Sequence, residues 1–258
     1  MMQAALPKPQ LGEISALTIA TPDLEASLRY YQKLGFKEIF RMDFPFPWIQ
    51  ITDEALLIML RKSDDPYLAL TYYSGEAEKI ANELEKKGIS FISKPKDSDM
   101  VKRFLFQSPD GLNISLVAIA EGFRRPGGTT MLTMNQADYF KPETYTNKTA
   151  GMFGELAHPV TNLDESIAFW EKLGFQVLSK FASPYPWAII SDGLSVVGLH
   201  QSKHFSYPAI TFFASDMKDK IEALKSQGLE NFKEMSGPSN IVLTTPEQQH
   251  VFLFKMGM

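Results

Sequence analysis

The pattern of hydrophobic and polar positions predicts short strands and amphipathic helices that alternate along the chain. Residues 14–21 form an apolar run of strand length. In 24–34 the apolar side chains recur three and four positions apart, which places them on one face of a helix. Asp23 precedes this helix as an N-cap, and Gly35 stands at its C′ position. Three strand-like segments follow, over 36–42, 48–52 and 55–61. The predicted order is βαβββ.

The same order of elements starts again before the middle of the chain. Residues 67–73 read as a strand and 76–87 as an amphipathic helix that ends at Gly88. Three further strands are predicted, over 89–92, 104–108 and 113–118. The turn SPDG between the last two has Pro and Gly at the positions that a type I turn prefers.

A long internal repeat then doubles this arrangement. The helix segment DLEASLRYYQKLGF (23–36) returns as NLDESIAFWEKLGF (162–175), an offset of 139 residues with six identical positions. The segment FPFPWIQITD (44–53) returns as SPYPWAIISD (183–192) at the same offset. This period is the size of a domain and too long for a solenoid repeat. The chain therefore reads as one domain written twice, with four βαβββ units in all.

The repeat sets the predicted domain boundaries. The segments are a lead-in over 1–12, a first domain over 13–118, a connector over 119–150 and a second domain over 151–258. The connector exceeds ordinary loop lengths, so we expect it to pack across the surface or to carry a short helix. The apolar helix faces, including Tyr31 and Trp170, are predicted to pack against the outer faces of the sheets.

Composition narrows the class of protein. The hydrophobic share of 44% is ordinary for a globular protein. The net charge is −4, so the chain lacks the basic character of nucleic-acid-binding proteins. It contains no cysteine, which excludes disulfides, cysteine nucleophiles and thiolate metal sites. The N-terminus does not have the pattern of a signal peptide, and the longest aliphatic run is too short to span a bilayer. We expect a cytoplasmic protein without membrane or nucleic-acid partners.

The repeated helix motif, the strands around it and the closing PDG turn together resemble the vicinal oxygen chelate superfamily. That superfamily includes glyoxalase I, extradiol dioxygenases and bleomycin-resistance proteins. The resemblance implies an α+β fold, in which paired βαβββ units form two curved, mixed-sheet half-barrels with helices on the outside. It also implies a divalent metal, held by inward side chains on the first and fourth strands of each unit.

Matched strand by strand, most of these metal positions hold residues that cannot ligate. The first half places there Ala16, Met59, Ala69 and Ser115. The second half places there Glu155, Gly198, Ala209 and Phe252. Of the eight side chains, only the Glu155 carboxylate is a metal ligand of the usual kind.

Histidine distinguishes the two halves, because all four histidines lie in the second one: His158, His200, His204 and His250. His200 comes two residues after a family metal position and His250 two residues before one, so strand parity turns both inward. With Glu155 they form a predicted set of two histidines and one carboxylate, a facial triad suited to Ni, Zn, Mn or Fe. The alternative is that both histidines are polar residues at the rim of the cleft, with no cofactor.

The other two histidines have simpler interpretations. His158 has the opposite strand parity to Glu155 and is predicted to be a hydrogen-bonded core residue. His204 lies in a polar loop and is predicted to be solvated.

Three further residues are candidates for binding a substrate. Trp187 and Phe252 are possible walls of the second cleft, although core or rim packing is the simpler role for a tryptophan on such a strand. Arg61, in the first half, can pair with a substrate acid or form a surface salt bridge.

Three kinds of function remain open from the sequence. The first is a metal-dependent lyase or dioxygenase-like oxidoreductase that uses Glu155, His200 and His250. The second is a metal-free protein that binds or sequesters a small molecule, as the resemblance to bleomycin-resistance proteins implies. The third is a scaffold for another protein. We predict a glyoxalase-like protein, monomeric or homodimeric, that binds a small organic molecule in the cleft of the second domain; whether it is an enzyme stays open.

Overall fold

The computed structural model describes residues 6–119 and 125–257. The first half contains β1 (Ile14–Thr21), α1 (Leu24–Lys33), β2 (Lys37–Met42), β3 (Trp48–Thr52), β4 (Leu57–Lys62), β5 (Leu68–Ser74), α2 (Ala77–Lys86), β6 (Arg103–Gln107) and β7 (Asn113–Ala118). The second half contains β8 (Met152–Pro159), α3 (Leu163–Lys172), β9 (Gln176–Phe181), β10 (Trp187–Ser191), β11 (Val196–His200), β12 (Ala209–Ala214), α4 (Met217–Ser226), β13 (Phe232–Glu234), β14 (Asn240–Thr244) and β15 (His250–Lys255).

The predicted lead-in and connector fall partly outside the described residues, at 1–5 and 120–124. The rest of the connector carries two short 3-10 turns, Gln136–Asp138 and Pro142–Thr144, in agreement with the prediction of a short helix. The domain boundaries 13–118 and 151–258 stay a prediction.

Within the described ranges, each of the four α-helices has ten residues, and no helix has the length and apolarity to cross a membrane.

Each half of the chain builds its own open mixed sheet, which confirms the predicted α+β class. The seven strands of the first half are ordered β2-β3-β4-β1-β5-β7-β6. The eight strands of the second half follow the same order when read from the other edge, β9-β10-β11-β8-β12-β15-β14-β13. Within each sheet β5 and β7, or β12 and β15, pair in parallel. The sequence repeat is therefore a repeat of topology.

One predicted strand is wrong. Residues 89–92 do not form a strand, and only an isolated antiparallel bridge joins Ser93 to Leu105. Pro95 lies two residues after Ser93, and proline donates no backbone hydrogen bond and restricts the residue before it, so pairing does not continue on that side of the bridge. Pairing is limited to one bridge, whereas β13 in the second half pairs with β14 over three residues.

The local signals around the first helix act as the sequence predicts. The side chain of Asp23 accepts a hydrogen bond from the backbone N–H of Ala26, at 2.9 Å. Gly35 has φ +92°, and the N–H of Phe36 donates to the carbonyl of Tyr31 at 3.0 Å, as in a Schellman motif. The predicted inward residues of both repeat helices are buried: Leu28, Tyr31, Leu34, Ile167, Trp170 and Leu173.

Residue contacts divide the chain into two compact units, and each unit contains segments of both halves. The first unit comprises Met1–Thr18, Leu68–Arg125 and Ala157–Tyr207. The second unit comprises Ile19–Tyr67, Pro126–Leu156 and Pro208–Met258.

In each unit, an acidic residue from the closing turn of one half binds a repeat helix of the other half. In the second unit, Ser27 Oγ donates to Glu247 Oε2 at 2.6 Å, and the Tyr31 hydroxyl donates to Oε1 at 2.8 Å. In the first unit, Ser166 Oγ donates to Asp110 Oδ2 at 2.5 Å. Ser27 and Ser166 are one of the identical pairs of the repeat, which explains why serine stands at both positions.

Replacing Glu247 with alanine is expected to lower the free energy of unfolding by about 2–3 kcal/mol, because two buried hydroxyl groups lose their acceptor. Denaturant melts of wild type and variant would measure this loss. Glu230→Ala, at an exposed position, serves as the control and should change stability by less than about 0.5 kcal/mol. An unchanged melt for Glu247→Ala would show that these hydrogen bonds do not stabilise the unit.

Candidate functional site

A continuous aromatic face runs across the last three strands at one edge of the second sheet. In β10, Trp187 lies opposite Phe181 of β9 and opposite His200 of β11. The Trp187 ring stacks on Phe181 with centroids 4.2 Å apart and an interplanar angle of 19°. On its other side it stacks on the His200 imidazole at 5.6 Å and 6°. Three flat rings therefore stand side by side on one face of the sheet, a set that we call the aromatic face.

Two further rings hold the His200 imidazole. The Tyr185 hydroxyl lies 3.3 Å from His200 Nδ1, within hydrogen-bonding distance, and Phe205 contacts the imidazole edge-on with centroids 5.5 Å apart. His200 is buried, whereas Phe181 is 43% exposed. Exposure to solvent thus decreases along the aromatic face, from the accessible Phe181 ring to the buried, oriented imidazole of His200. Such an arrangement can bind a flat ligand and offer it a polar atom.

Sequence reasoning found Trp187 and His200 but missed Phe181 and Tyr185. Tyr185 could have been identified from the sequence, because it lies in the repeated segment, where it corresponds to Phe46 of the first half. Phe181 could not, because its position beside Trp187 depends on strand register, which shifts at an irregularity between Ile189 and Ile190.

His158 is a core histidine, as predicted. It is 2% exposed, and its Nε2 lies 3.2 Å from Ser108 Oγ. Burial lowers the pKa of His158 to about 4, His200 acts in the same direction, and the nearby Asp110 opposes the change. His158 is therefore neutral at pH 7 and contributes packing and a hydrogen bond. His204 is exposed in its loop, as predicted.

In the second unit, His250 and Phe252 lie on one face of β15. His250 pairs with Ala209 and Phe252 with Thr211 on the neighbouring strand β12. The Phe252 ring stacks on Phe254 at 5.0 Å and 21°. Partial burial lowers the pKa of His250. This second face is also apolar and flat, with an imidazole at the start of its strand.

Glu155 and Arg61 belong to the same unit. Glu155 is buried on β8 at 6% exposure. Arg61, at the end of β4, is half-buried, and its guanidinium carbon lies 5.5 Å from the centroid of the Phe46 ring and 5.3 Å from that of Tyr67. Its register partner in β3 is Trp48. The guanidinium is therefore oriented by aromatic rings, as cation–π contacts favour.

The three residues of the predicted metal triad belong to different compact units. His200 lies in the first unit, and Glu155 and His250 lie in the second. Over residues 6–119 and 125–257, no group of three or more His, Asp or Glu side chains is arranged to hold a metal ion. The triad stays a prediction.

The sequence of the first half matches a known family model. Residues 13–116 match the model of the Glyoxalase/Bleomycin resistance protein/Dioxygenase superfamily. This confirms the resemblance seen in the helix motif. No curated protein matches the sequence.

The fold of the whole chain is similar to that of solved extradiol dioxygenases. The 2,3-dioxygenase LapB from Pseudomonas sp. KL28 is 16% identical, with 98% of this chain and 94% of that chain covered and a TM-score of 0.60. A variant of homoprotocatechuate 2,3-dioxygenase from B. fuscum is 14% identical, with 99% and 74% covered and a TM-score of 0.60. The enzyme of that name from Arthrobacter globiformis is 14% identical, with 98% and 82% covered and a TM-score of 0.60. At these identities the likeness concerns the fold alone.

Proposed function

We propose that this protein binds a small, planar organic molecule through its second half, with the aromatic face as the principal contact. The observation that carries the proposal is the parallel stack of Phe181, Trp187 and His200 across three neighbouring strands. Because Phe181 and His200 cover the two sides of the Trp187 ring, a flat ligand meets the edges of these rings and gains edge-to-face and hydrophobic contact. A buried imidazole oriented by Tyr185 supplies a hydrogen bond that fixes the orientation of the ligand.

The residues present do not fit a metal of the family type. Alanine, glycine and phenylalanine stand at three of the four family positions of the second half, and their side chains have no donor atom. No three ligating side chains are grouped within the parts of the chain that the structure describes. Binding without chemistry at a metal is therefore the function that this donor set supports.

The proposal is tested by titrating the protein with catechol and with cis-1,2-cyclohexanediol, its non-planar analogue, and following tryptophan fluorescence and heat. Catechol should bind and the saturated diol should not, because only an aromatic ring gains edge-to-face contacts from the aromatic face. Trp187→Leu should weaken catechol binding about tenfold or more, because it removes the central ring, which the ligand meets edge-on and which stacks on both Phe181 and His200. The control is Phe232→Leu, at an exposed ring on β13 that lies outside the aromatic face, which should retain catechol binding. Equal affinities for the two compounds, or unchanged binding in Trp187→Leu, would contradict the proposal.

The family match favours a second candidate function, a metal-dependent lyase or oxidoreductase. Its ligands would be Glu155, His200 and His250. Chelator-treated protein titrated with Ni²⁺, Zn²⁺, Mn²⁺ and Fe²⁺ tests it by calorimetry. Metal binding that is lost in both Glu155→Ala and His200→Ala would support the enzyme, and the absence of binding would leave the metal-free protein.

A further inference from the structure

A buried amide on β3 has no hydrogen-bond partner. Gln50 is fully buried, and neither its amide nitrogen nor its amide oxygen is hydrogen-bonded within the described structure. Strand alternation places Gln50 on the face of β3 that also carries Trp48. An unpaired buried donor and acceptor lower the stability of a fold, so such a group calls for a reason other than packing.

The internal repeat shows that the fold does not require an amide at this position. Gln50 lies two residues after Trp48, and the residue two positions after Trp187 is Ile189. The same place in the same sheet is thus apolar in the second half. The cost of burying Gln50 is specific to the first half.

The residue that pairs with the tryptophan across the sheet also differs between the two halves, and again the first half has the more polar side chain. Arg61 and His200 are separated by the repeat offset of 139 residues, and each is the register partner of the tryptophan in its own half. Phe46 beside Arg61 corresponds to Tyr185 beside His200. The first half therefore keeps the aromatic frame but has a permanent cation in place of the imidazole, together with an added amide.

We propose that the face of β3 and β4 formed by Trp48, Gln50 and Arg61 is a second ligand site, which takes an aromatic carboxylate. The guanidinium, oriented by the rings of Phe46 and Tyr67, pairs with the carboxylate in a bidentate geometry. The ring of the ligand packs on Trp48, and a hydroxyl or carbonyl on that ring satisfies the Gln50 amide.

Gln50 and Trp48 are both buried, so a ligand must displace neighbouring side chains to reach the amide. The register partners of Gln50 are Phe40 on β2 and Met59 on β4, and both are half-buried. The unbranched Met59 side chain changes rotamer at low cost, so it can move aside when a ligand enters. This site is independent of the aromatic face of the second half, because all of its residues lie within Ile19–Tyr67 of the second unit.

Calorimetric titration of the full chain at pH 7 with 4-hydroxybenzoate and with 4-hydroxybenzamide tests the assignment. The two probes have the same shape and differ in charge, so the acid should bind at least tenfold more tightly. Arg61→Met, which keeps the length of the side chain, should remove this preference. Gln50→Ile, the residue of the other half, should weaken binding of the acid at least tenfold and at the same time raise the melting temperature. A purely structural glutamine would give the opposite change in melting temperature.

Trp187→Leu separates this site from the function proposed for the second half. It should leave the preference for 4-hydroxybenzoate over 4-hydroxybenzamide unchanged, because only Arg61 supplies that preference, whatever its effect on catechol. The assignment is overturned if the acid and the amide bind equally, if Arg61→Met binds the acid like wild type, if Gln50→Ile melts at a lower temperature, or if only Trp187→Leu abolishes binding.

Discussion

Replacing Trp170 with alanine is expected to lower the free energy of unfolding by about 3–5 kcal/mol, the largest loss from any single truncation considered for this chain. Trp170 lies on α3 and is fully buried. Its ring contacts Phe175 and Phe169 edge-on, with centroids 4.7 and 5.9 Å away. Truncation therefore removes a large apolar surface and two aromatic contacts and leaves a cavity that rigid neighbours cannot fill. Urea or guanidinium melts would measure the loss.

Two variants of the same helix make this result specific. Glu171→Ala, at the exposed next position, should change stability by less than about 0.5 kcal/mol. Trp170→Phe should cost less than Trp170→Ala, because an aromatic ring is kept and the indole nitrogen has no hydrogen-bond partner among the described residues. A loss below about 1 kcal/mol for Trp170→Ala would show that the cavity collapses or that the helix face contributes little.

Lowering the pH from 6.5 to 4 is expected to destabilise the protein by about 3 kcal/mol through His158 alone. Burial lowers the pKa of His158 from 6.5 to about 4 in the folded state. Between these values the unfolded chain binds a proton that the folded chain does not, so stability falls as the pH falls. The contribution is complete above pH 6.5 and is lost as the pH approaches the folded pKa. The difference between a pKa of 6.5 in the unfolded chain and about 4 in the folded chain gives this size, at about 1.36 kcal/mol per pH unit.

The measurement is the difference in unfolding free energy between wild type and His158→Gln from pH 7.5 to 4, which cancels the contribution of the carboxylates. Glutamine keeps a polar group near Ser108 but does not titrate. The variant should lose less stability on acidification than wild type. His204→Gln, at an exposed histidine, should keep the wild-type pH dependence. A wild-type slope in His158→Gln would assign the acid sensitivity to other groups.

The architecture of this protein could be predicted from its sequence because its signals are local and doubled. The cap at Asp23, the glycine at Gly35 and the apolar helix faces depend on residues a few positions apart, and the structure keeps them. The one failed strand, over 89–92, shows the limit of this reasoning. Its apolar residues suit a strand, but a strand also needs a partner along its length, and only Ser93, just after this segment, forms a bridge, with Leu105.

The candidate sites were only half predicted. Strand parity identified Trp187, His200 and Arg61 as residues of interest, because alternation is a local property. It could not show that the Trp187 and His200 rings stack in parallel, nor that aromatic rings flank Arg61. It also gave no reason to consider Gln50, since an amide in a strand looks ordinary until its burial and its missing partners are known.

By itself, the sequence determined the number of repeats, the order of elements within them and the faces that are apolar. It could do so because periodicity and capping depend on residues that are close together along the chain. Only the tertiary structure decided which distant groups meet. Glu247 binds Ser27 across 220 positions, and His158 lies beside a serine 50 positions away. Such contacts depend on strand register and on how elements pack. These are set by the summed burial of many side chains and not by any short stretch of the chain.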